Sequence, residues 1–482
     1  MKEQHSIKKN YLYSMAYQIL IMILPLITAP YLARVVGAEG TGIYSYTYSI
    51  AQYFLYFAML GISNHGNRSI AKVREDKDKR IKVFSEIYTL QMITAITALI
   101  CYLLYCVFIV HINKEIALIQ TFFVMSSVFD ISWLFWGMEN FKVTVTRQIM
   151  VKIATAIGIF VFVKSPDDLW KYTLLLSAGT LLSTMYLFVK VKQYVVFRFQ
   201  PLRNSFQNLK PVLILFIPII ATSIYRVMDK VMIGLMSDMV QVGYYENSDK
   251  LITTCLGVVG SLGSVMLPRM SNLVAKGDKE AQNQYLLKSI EATMFIAFAI
   301  AFGIASVADS FIPFFYGSKF NDCILITRLL TISVPFISWA NVVRMQFLIP
   351  NEKDRIYVTS IIVGAILNVF INYNLIPLYG AAGAAIGTIC AEATVMLIQT
   401  VCSRTEIDVP AFIKKSVPFL AFGFIMFFGV RILANILNKG IISMLAQIFV
   451  GALVYVSLSG VYFIATKNPI VTQLARKLHI MK

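Results

Sequence analysis

The sequence predicts an all-α integral membrane protein of about 14 transmembrane helices, built as two pseudo-symmetric six-helix lobes plus two C-terminal helices. Three observations carry that expectation: an apolar composition, a succession of long apolar runs, and a one-sided distribution of basic residues. Of 482 residues, 58% are hydrophobic and 14% charged, and the mean hydropathy is +0.70. Soluble domains sit near ~45–50% apolar and ~25% charged, so this is a membrane composition. In hydrocarbon every backbone polar group must pair internally, and long apolar runs without strand alternation mean helices.

The runs predict a first set of spans at 12–35, 42–62, 84–110, 116–138, 146–163 and 169–191. A second set follows at 211–236, 242–267, 290–315, 324–349, 356–377 and 380–402, and a final pair at 417–437 and 441–466. The fifth is short and holds Arg147 and Lys152 at or near its start. This organisation gives an N-lobe over 1–200, a C-lobe over 201–403, and two further helices with a basic tail over 404–482. The start, Met1 to Lys9, is a short basic segment. The apolar run after it is too long for a signal peptide and is expected to stay as the first helix.

Charge fixes an orientation. The formal net charge is +18, from 43 Lys and Arg against 25 Asp and Glu. With the N-terminus inside, the cytoplasmic segments hold 30 of those 43 basic residues, counting Arg147 and Lys190 at adjoining span ends, and the outer side holds 5, Lys114, Lys164, Lys319, Lys439 and, at a span end, Lys171. A bias this strong across short loops is a positive-inside signal and places both termini in the cytoplasm of a bacterial inner-membrane protein. It also removes nucleic acid as a partner, because the basic residues are parked between apolar runs and form no patch on a soluble surface. The densest stretch, Arg68 to Lys82, reads as a solvated cytoplasmic loop that could also meet anionic membrane lipids.

A weak internal repeat appears at an offset of about two hundred residues. Pro25-Leu26-Ile27-Thr28-Ala29 parallels Pro218-Ile219-Ile220-Ala221-Thr222, and Gly42-Ile43-Tyr44 parallels Gly243-Tyr244-Tyr245. Glu86 parallels Glu291, and Phe129-Asp130-Ile131-Ser132-Trp133 parallels Phe336-Ile337-Ser338-Trp339. Four matches in one order indicate two halves of parallel topology, because six spans return the chain to its starting side.

Soluble enzyme chemistry has no foothold. No Walker lysine, nucleophile elbow or metal-spaced histidine is present, so no catalytic residue, metal or cofactor is expected. The six cysteines lie in or beside apolar runs and read as small buried residues. The informative residues are charges inside the bilayer, each costing ~2.5–3.5 kcal/mol or more at a helix centre. Arg226, Asp229 and Lys230 fall in the seventh span, Glu246, Asp249 and Lys250 in the eighth, and Arg328 and Arg344 in the tenth. Arg34 closes the first. The cations could line an aqueous path and hold an anionic head group such as a pyrophosphate, which suits both the arginine fork and the lysine point charge. The alternative is structural pairing, with Arg226–Asp229 at i, i+3 and Glu246–Lys250 at i, i+4. Asp229, Glu246 and Asp249 could instead take a coupling cation.

Other features have plainer readings. Trp133 and Trp136, with Asp130 and Glu139, close the fourth span where aromatic anchoring at the interface explains the rings. Gly383 and Gly387 in GAAGAAIG suit close helix packing. Pro25, Pro30, Pro218, Pro313 and Pro335 mark kinks or broken helices.

The segment Tyr31-Leu32-Ala33-Arg34-Val35-Val36-Gly37-Ala38-Glu39-Gly40-Thr41-Gly42-Ile43-Tyr44 resembles the first helix hairpin of Wzx-like polysaccharide-unit flippases. So do the stretch from Phe129 to Phe141 (FDISWLFWGMENF), Val242-Gly243-Tyr244-Tyr245, and Asn368 with Ile376 to Ala385 (IPLYGAAGAA). The similarity spans essentially the whole chain and belongs to the wider superfamily that includes multidrug exporters and lipid II flippases. The D-x-x-W-x-x-x-G-x-E pattern of the fourth span leans to the oligosaccharide branch. Two departures point the same way. The stretch around Thr28 lacks the extra arginines of lipid II flippases, and the first span lacks the acid of many drug exporters. The resemblance implies two lobes about a pseudo-twofold axis along the membrane normal, alternating access, and a cationic cavity for polyprenyl-diphosphate-linked glycans. A polysaccharide polymerase and glycosyltransferases are the implied neighbours. Multidrug or other small-molecule export is the alternative, and the excess of intramembrane cations argues against it. A membrane glycosyltransferase would need a catalytic loop that the short outer segments lack.

Overall fold

The computed structural model describes residue 20 and residues 23–198, 200–438 and 440–466, without the side chains of residues 141, 225 and 226. The start of the expected first span, both termini with the basic tail, and the Arg226 side chain lie outside the described residues. The described chain is helical throughout, without a strand. Packing divides it into two compact units, Met1–Gly243 and Tyr244–Lys482.

The first unit opens with α1 (Ile23–Val35) and α2 (Gly37–Met59), joined at a sharp corner where Gly37 takes φ +78°. Only glycine adopts that conformation without steric penalty, which accounts for the Val-Val-Gly break in the hairpin. A short amphipathic α3 (Ile62–Val73) leads to α4 (Lys77–Phe108). The fourth span is then segmented into α5 (Lys114–Ile119), α6 (Thr121–Phe129) and α7 (Ser132–Gly137). Helices α8 (Phe141–Phe162) and α9 (Leu169–Lys190) follow, and the chain runs through α10 (Leu202–Gln207) into α11 (Leu209–Met236). The fifth span is thus a full 22-residue helix. Its Arg147 is buried and donates to the Ser183 carbonyl on α9 at 2.8 Å.

The boundary between the units falls inside α12 (Met239–Ala275). The second unit continues with α13 (Lys279–Phe315), α14 (Cys323–Val343) and a π-helical turn at Arg344–Leu348. Then come α15 (Asp354–Tyr379), α16 (Ala381–Ser403), α17 (Val409–Ile436) and α18 (Ile441–Ala465). Aspartates start several of the long helices. Asp76, Asp278 and Asp408 each accept the amide three residues on at 3.0 Å, and Asp238 does so at 2.8 Å. Each satisfies one of the orphan donors of a helix N-terminus.

Eleven described helices are long and apolar enough to cross a membrane, and α11 makes twelve if its halves, bent by 48° between Ile224 and Val227, count as one span. The remaining two of the fourteen expected are α1, whose start is not described, and α2. At 23 residues α2 is long enough, but it is rich in Tyr, Ser, Thr and Gly, and its Gly, Ser and Thr side is buried within the unit.

The cores explain the fourth-span motif. Trp133 is fully buried and donates through Nε1 to Gln91 Oε1 at 2.9 Å. Gln91 Nε2 in turn donates to the carbonyls of Ser127 at 2.7 Å and Asp130 at 2.9 Å, where the helix is interrupted. The Asp130 carboxylate accepts from the Ser132 amide and hydroxyl, starting α7. Interfacial anchoring is therefore the wrong account of Trp133: a hydrogen-bonding partner inside the lobe outweighs the interface. Trp339 in the second unit is also buried, with Nε1 on Thr400 Oγ1 at 2.9 Å. Gly383 and Gly387 pack as expected, since a Cβ on either would strike the Leu375 carbonyl or the Asn372 amide of α15.

Candidate functional site

On α11, Asp229 is 1% exposed and Lys230 is half-buried. This helix is held against α2 by Tyr53, whose hydroxyl donates to the Ser223 carbonyl at 3.2 Å, and by the Phe57 and Phe216 rings at 5.4 Å. Gly234 lets the Tyr46 ring lie against the backbone. Asp229 is close enough to act electrostatically on Tyr53. A buried carboxylate and a half-buried ammonium are therefore consecutive on α11, about 100° apart round the helix, and Arg34 closes α1 in an exposed position.

Helix α12 is two-faced. One face is packed: Tyr245 OH meets Thr388 Oγ1 at 2.9 Å, Ser248 Oγ donates to the Cys323 carbonyl at 3.4 Å, and Tyr316 OH donates to the Asn247 carbonyl at 2.9 Å. Further along, Gly263 admits Asn341 of α14 against the backbone. A different face carries Glu246, Asp249 and Lys250, which are half-buried, then Thr253, Gly257, Ser261 and Ser264, which are exposed. Steps of three and four residues keep these on one side of an α-helix. The hydroxyls of Ser261 and Ser264 donate back to the carbonyls of Val258 at 2.6 Å and Gly260 at 3.2 Å. Their oxygens remain available as acceptors. From Glu246 to Ser264 the stripe extends about 27 Å at the α-helical rise of about 1.5 Å per residue. A hydrocarbon core is ~30 Å thick.

The other two candidates have defined partners. Arg344 lies in the π-helical turn with its guanidinium 5.6 Å from the centre of the Tyr357 ring. Arg328 is ion-paired to Asp309 of α13 at 2.6 Å, and Arg431 of α17 shares the same carboxylate oxygen. Sequence reasoning passed over Asp309 and Arg431, and also Glu392, 8% exposed in the middle of α16. All three lie inside apolar runs, so the burial cost that singled out Arg328 would have found them. No group of three or more His, Cys, Asp or Glu residues suited to a metal exists among the described residues.

The fold and the stripe together define a polytopic helical membrane protein with a partly exposed stripe of polar groups about 27 Å long on α12. The chain belongs to the polysaccharide biosynthesis protein family, whose sequence pattern matches residues 7–274, more than half of its length. It is 24% identical over 385 residues to a proposed O-antigen transporter of Shigella dysenteriae, covering 78% of this chain and 95% of the relative. Identity to the corresponding Escherichia coli K12 protein is 23% over 408 residues, or 83% and 97% of the two chains. A proposed low-salt glycan biosynthesis flippase of Haloferax volcanii is 21% identical over about half of each chain. Among solved structures, the lipid II flippase MurJ in an inward closed conformation superposes with a TM-score of 0.77 at 19% identity, covering 95% of this chain and all of that one. An inward-facing multidrug MATE transporter gives 0.58 at 16% identity, covering 82% and 99%. The chain therefore shares the fold of these two proteins.

Proposed function

We propose that the protein moves polyprenyl-diphosphate-linked oligosaccharide repeat units across the bacterial cytoplasmic membrane by alternating access, for assembly of an O-antigen- or capsule-type polysaccharide. The observation that carries this reading is the stripe on α12, in a family of polysaccharide biosynthesis and with relatives named as O-antigen transporters. A glycan cannot cross hydrocarbon unaided, and the ionisable and hydroxyl groups spaced along about 27 Å of α12, with Gly257 between Thr253 and Ser261, give it polar groups to meet. Arg34, Arg226 and Lys230 of the first unit and Lys250 and Arg344 of the second are each offered to the diphosphate; Arg328 is already engaged by Asp309. Asp229, Glu246 and Asp249 are the groups offered to a coupling cation. Both termini are cytoplasmic, and loading is from that side, next to the glycosyltransferases and ahead of the polymerase. The chain carries out no bond-making step of its own.

The test is leaflet-specific detection of the lipid-linked unit in a deletion strain. Loss of the protein should remove surface polymer while the complete lipid-linked repeat accumulates on the cytoplasmic leaflet. Blocking the first sugar transfer should relieve any attendant toxicity. Detection of the unit on the outer leaflet at wild-type levels overturns the proposal. Normal surface polymer with raised sensitivity to cationic dyes would instead identify a drug exporter, and single units exposed outside would identify a polymerase.

A further inference from the structure

Within the second unit, three helices turn apolar stripes toward a common groove of about 660 Å³. Phe298 and Phe302 line it from α13, Pro335 and Phe336 from α14, and Leu420 and Phe427 from α17. That volume lies in the range of sites for drug-sized organic ligands. The groove is open sideways: Ile332 is 50% exposed and Phe424 48%. Its lining is apolar except for Thr331, Ser416 and one charged group, Arg328.

The stripes end alike. On α14 the lining residues Trp339, Pro335 and Ile332 lead by helical steps to Arg328. On α17, Leu420, Phe424 and Phe427 lead to Arg431, and on α13, Phe298, Phe302 and Ala305 lead to Asp309. The three charges converge: both guanidiniums hold the Asp309 carboxylate, and Arg328 Nε donates to the Ala305 carbonyl at 3.2 Å. Two cations on one anion leave a local charge of +1. Only part of each guanidinium, with five donors apiece, is used in those bonds. All three side chains are about a third exposed, at 30, 36 and 41% for Arg328, Arg431 and Asp309. From Arg328 to Trp339 the α14 wall runs about 16 Å at the α-helical rise, against ~15 Å for one leaflet of a ~30 Å hydrocarbon core.

We infer that this groove is a lateral site for an anionic phospholipid, with its phosphate on the spare donors of Arg328 and Arg431 and one acyl chain lying along the phenylalanines to Trp339. An apolar slot one leaflet deep suits a hydrocarbon chain. A surplus cation at its mouth, with arginine geometry, suits a phosphate monoanion rather than a zwitterionic head group. The lining residues include none from α12, so the groove is separate from the stripe and the lipid in it is a resident one, not the transported cargo.

The test uses the full-length protein in nanodiscs, with native mass spectrometry to count retained lipids and phosphatidylglycerol and phosphatidylcholine as probes. The wild-type protein should retain phosphatidylglycerol several-fold better. R431Q should erase that preference and leave weak, unselective retention. A301F, which fills the groove and leaves all three charges in place, should abolish retention of both. Monodisperse elution of each variant separates these effects from misfolding. K250Q, on the α12 stripe, should retain lipid as the wild type does, so failure of the transport proposal and failure of this one are read apart. Equal retention of the two lipids by the wild type overturns the inference, as does undiminished retention by A301F. Displacement of phosphatidylglycerol by equimolar polyprenyl phosphate would also overturn it, by assigning the groove to the carrier lipid.

Discussion

At the scale of single residues, Trp133 and Gln91 bear on the first lobe more than any charge does. W133F removes the donor to a fully buried amide oxygen, and leaving a buried group unpaired costs about 1–3 kcal/mol. Q91L removes that bond and also the donors to the Ser127 and Asp130 carbonyls at the helix interruption. The expected order of thermal stability in nanodiscs is wild type, then W133F, then Q91L, with the double variant no better than Q91L. A Q91L protein more stable than W133F would show that the interruption needs no donor. Asp76 offers a pH handle outside the membrane. Its carboxyl is held below the ordinary range by the Lys79 amide it accepts and then by the Lys79 ammonium. A depressed carboxylate contributes stability that is present above its unfolded value near ~3.9 and lost as pH falls through the folded one. Amide exchange at the first turn of α4, taken relative to the intrinsic rate at each pH, should therefore rise as the pH drops below about 4. In D76N, which still caps but does not titrate, that rise should vanish. The sequence showed the residue types at these positions, but not that the tryptophan ring faces inward, because a ring at the end of a span satisfies an interface and a core equally well.

At the scale of elements, hydropathy located the helices and missed their ends and breaks. Helices α12 and α13 are each 37 residues long, well beyond the ~20 needed to cross. Their amphipathic extensions carry Lys279, Lys288 and Arg269, which an apolar window excludes. The fourth span was legible as one run, yet the Asp130 carboxylate bonds the following Ser132 and divides it. The α2 helix was legible because its apolar and small residues alternate with tyrosines, which a span tolerates when it packs inside the protein. The expected orientation has a direct test. Single cysteines at Ser165, Ser237 and Gly440 should react with an impermeant thiol reagent applied from outside. Ser237 is preferred to its neighbour because Asp238 caps α12. Cysteines at Lys77, Asn204 and Lys279 should react only after permeabilisation. External labelling at Lys77 would reverse the topology.

At the scale of the whole molecule, the all-helical membrane architecture was legible because a succession of long apolar runs leaves the chain few other folds, while the division at Gly243 falls well past the lobe boundary at residue 200 that the apolar runs indicate. The packing adds what a repeat cannot: α11 is held to α2 by Tyr53, Phe57 and Tyr46 and lies in the first compact unit, although the repeat pairs it with the second half. The candidate site was legible only as a set of costly charges. The hydroxyls of Ser261 and Ser264 carry no such cost and drew no notice until the helix face was known. They also give the most discriminating prediction. If the α12 stripe is the cargo path, adding apolar bulk to it should block transport without altering charge. S261L and S264L should each lower surface polymer on the order of tenfold at matched protein level, equivalent to about 1.4 kcal/mol. V265L is the control for S264L: Val265 is 62% exposed on the same helix but lies about 100° round from Ser264 at ~3.6 residues per turn. K250Q should resemble the serine variants and K250R should be milder, because a retained positive charge still meets a diphosphate. If V265L is as damaging as S264L, the loss follows from crowding on α12 off the stripe as well as on it, and the stripe is not the path.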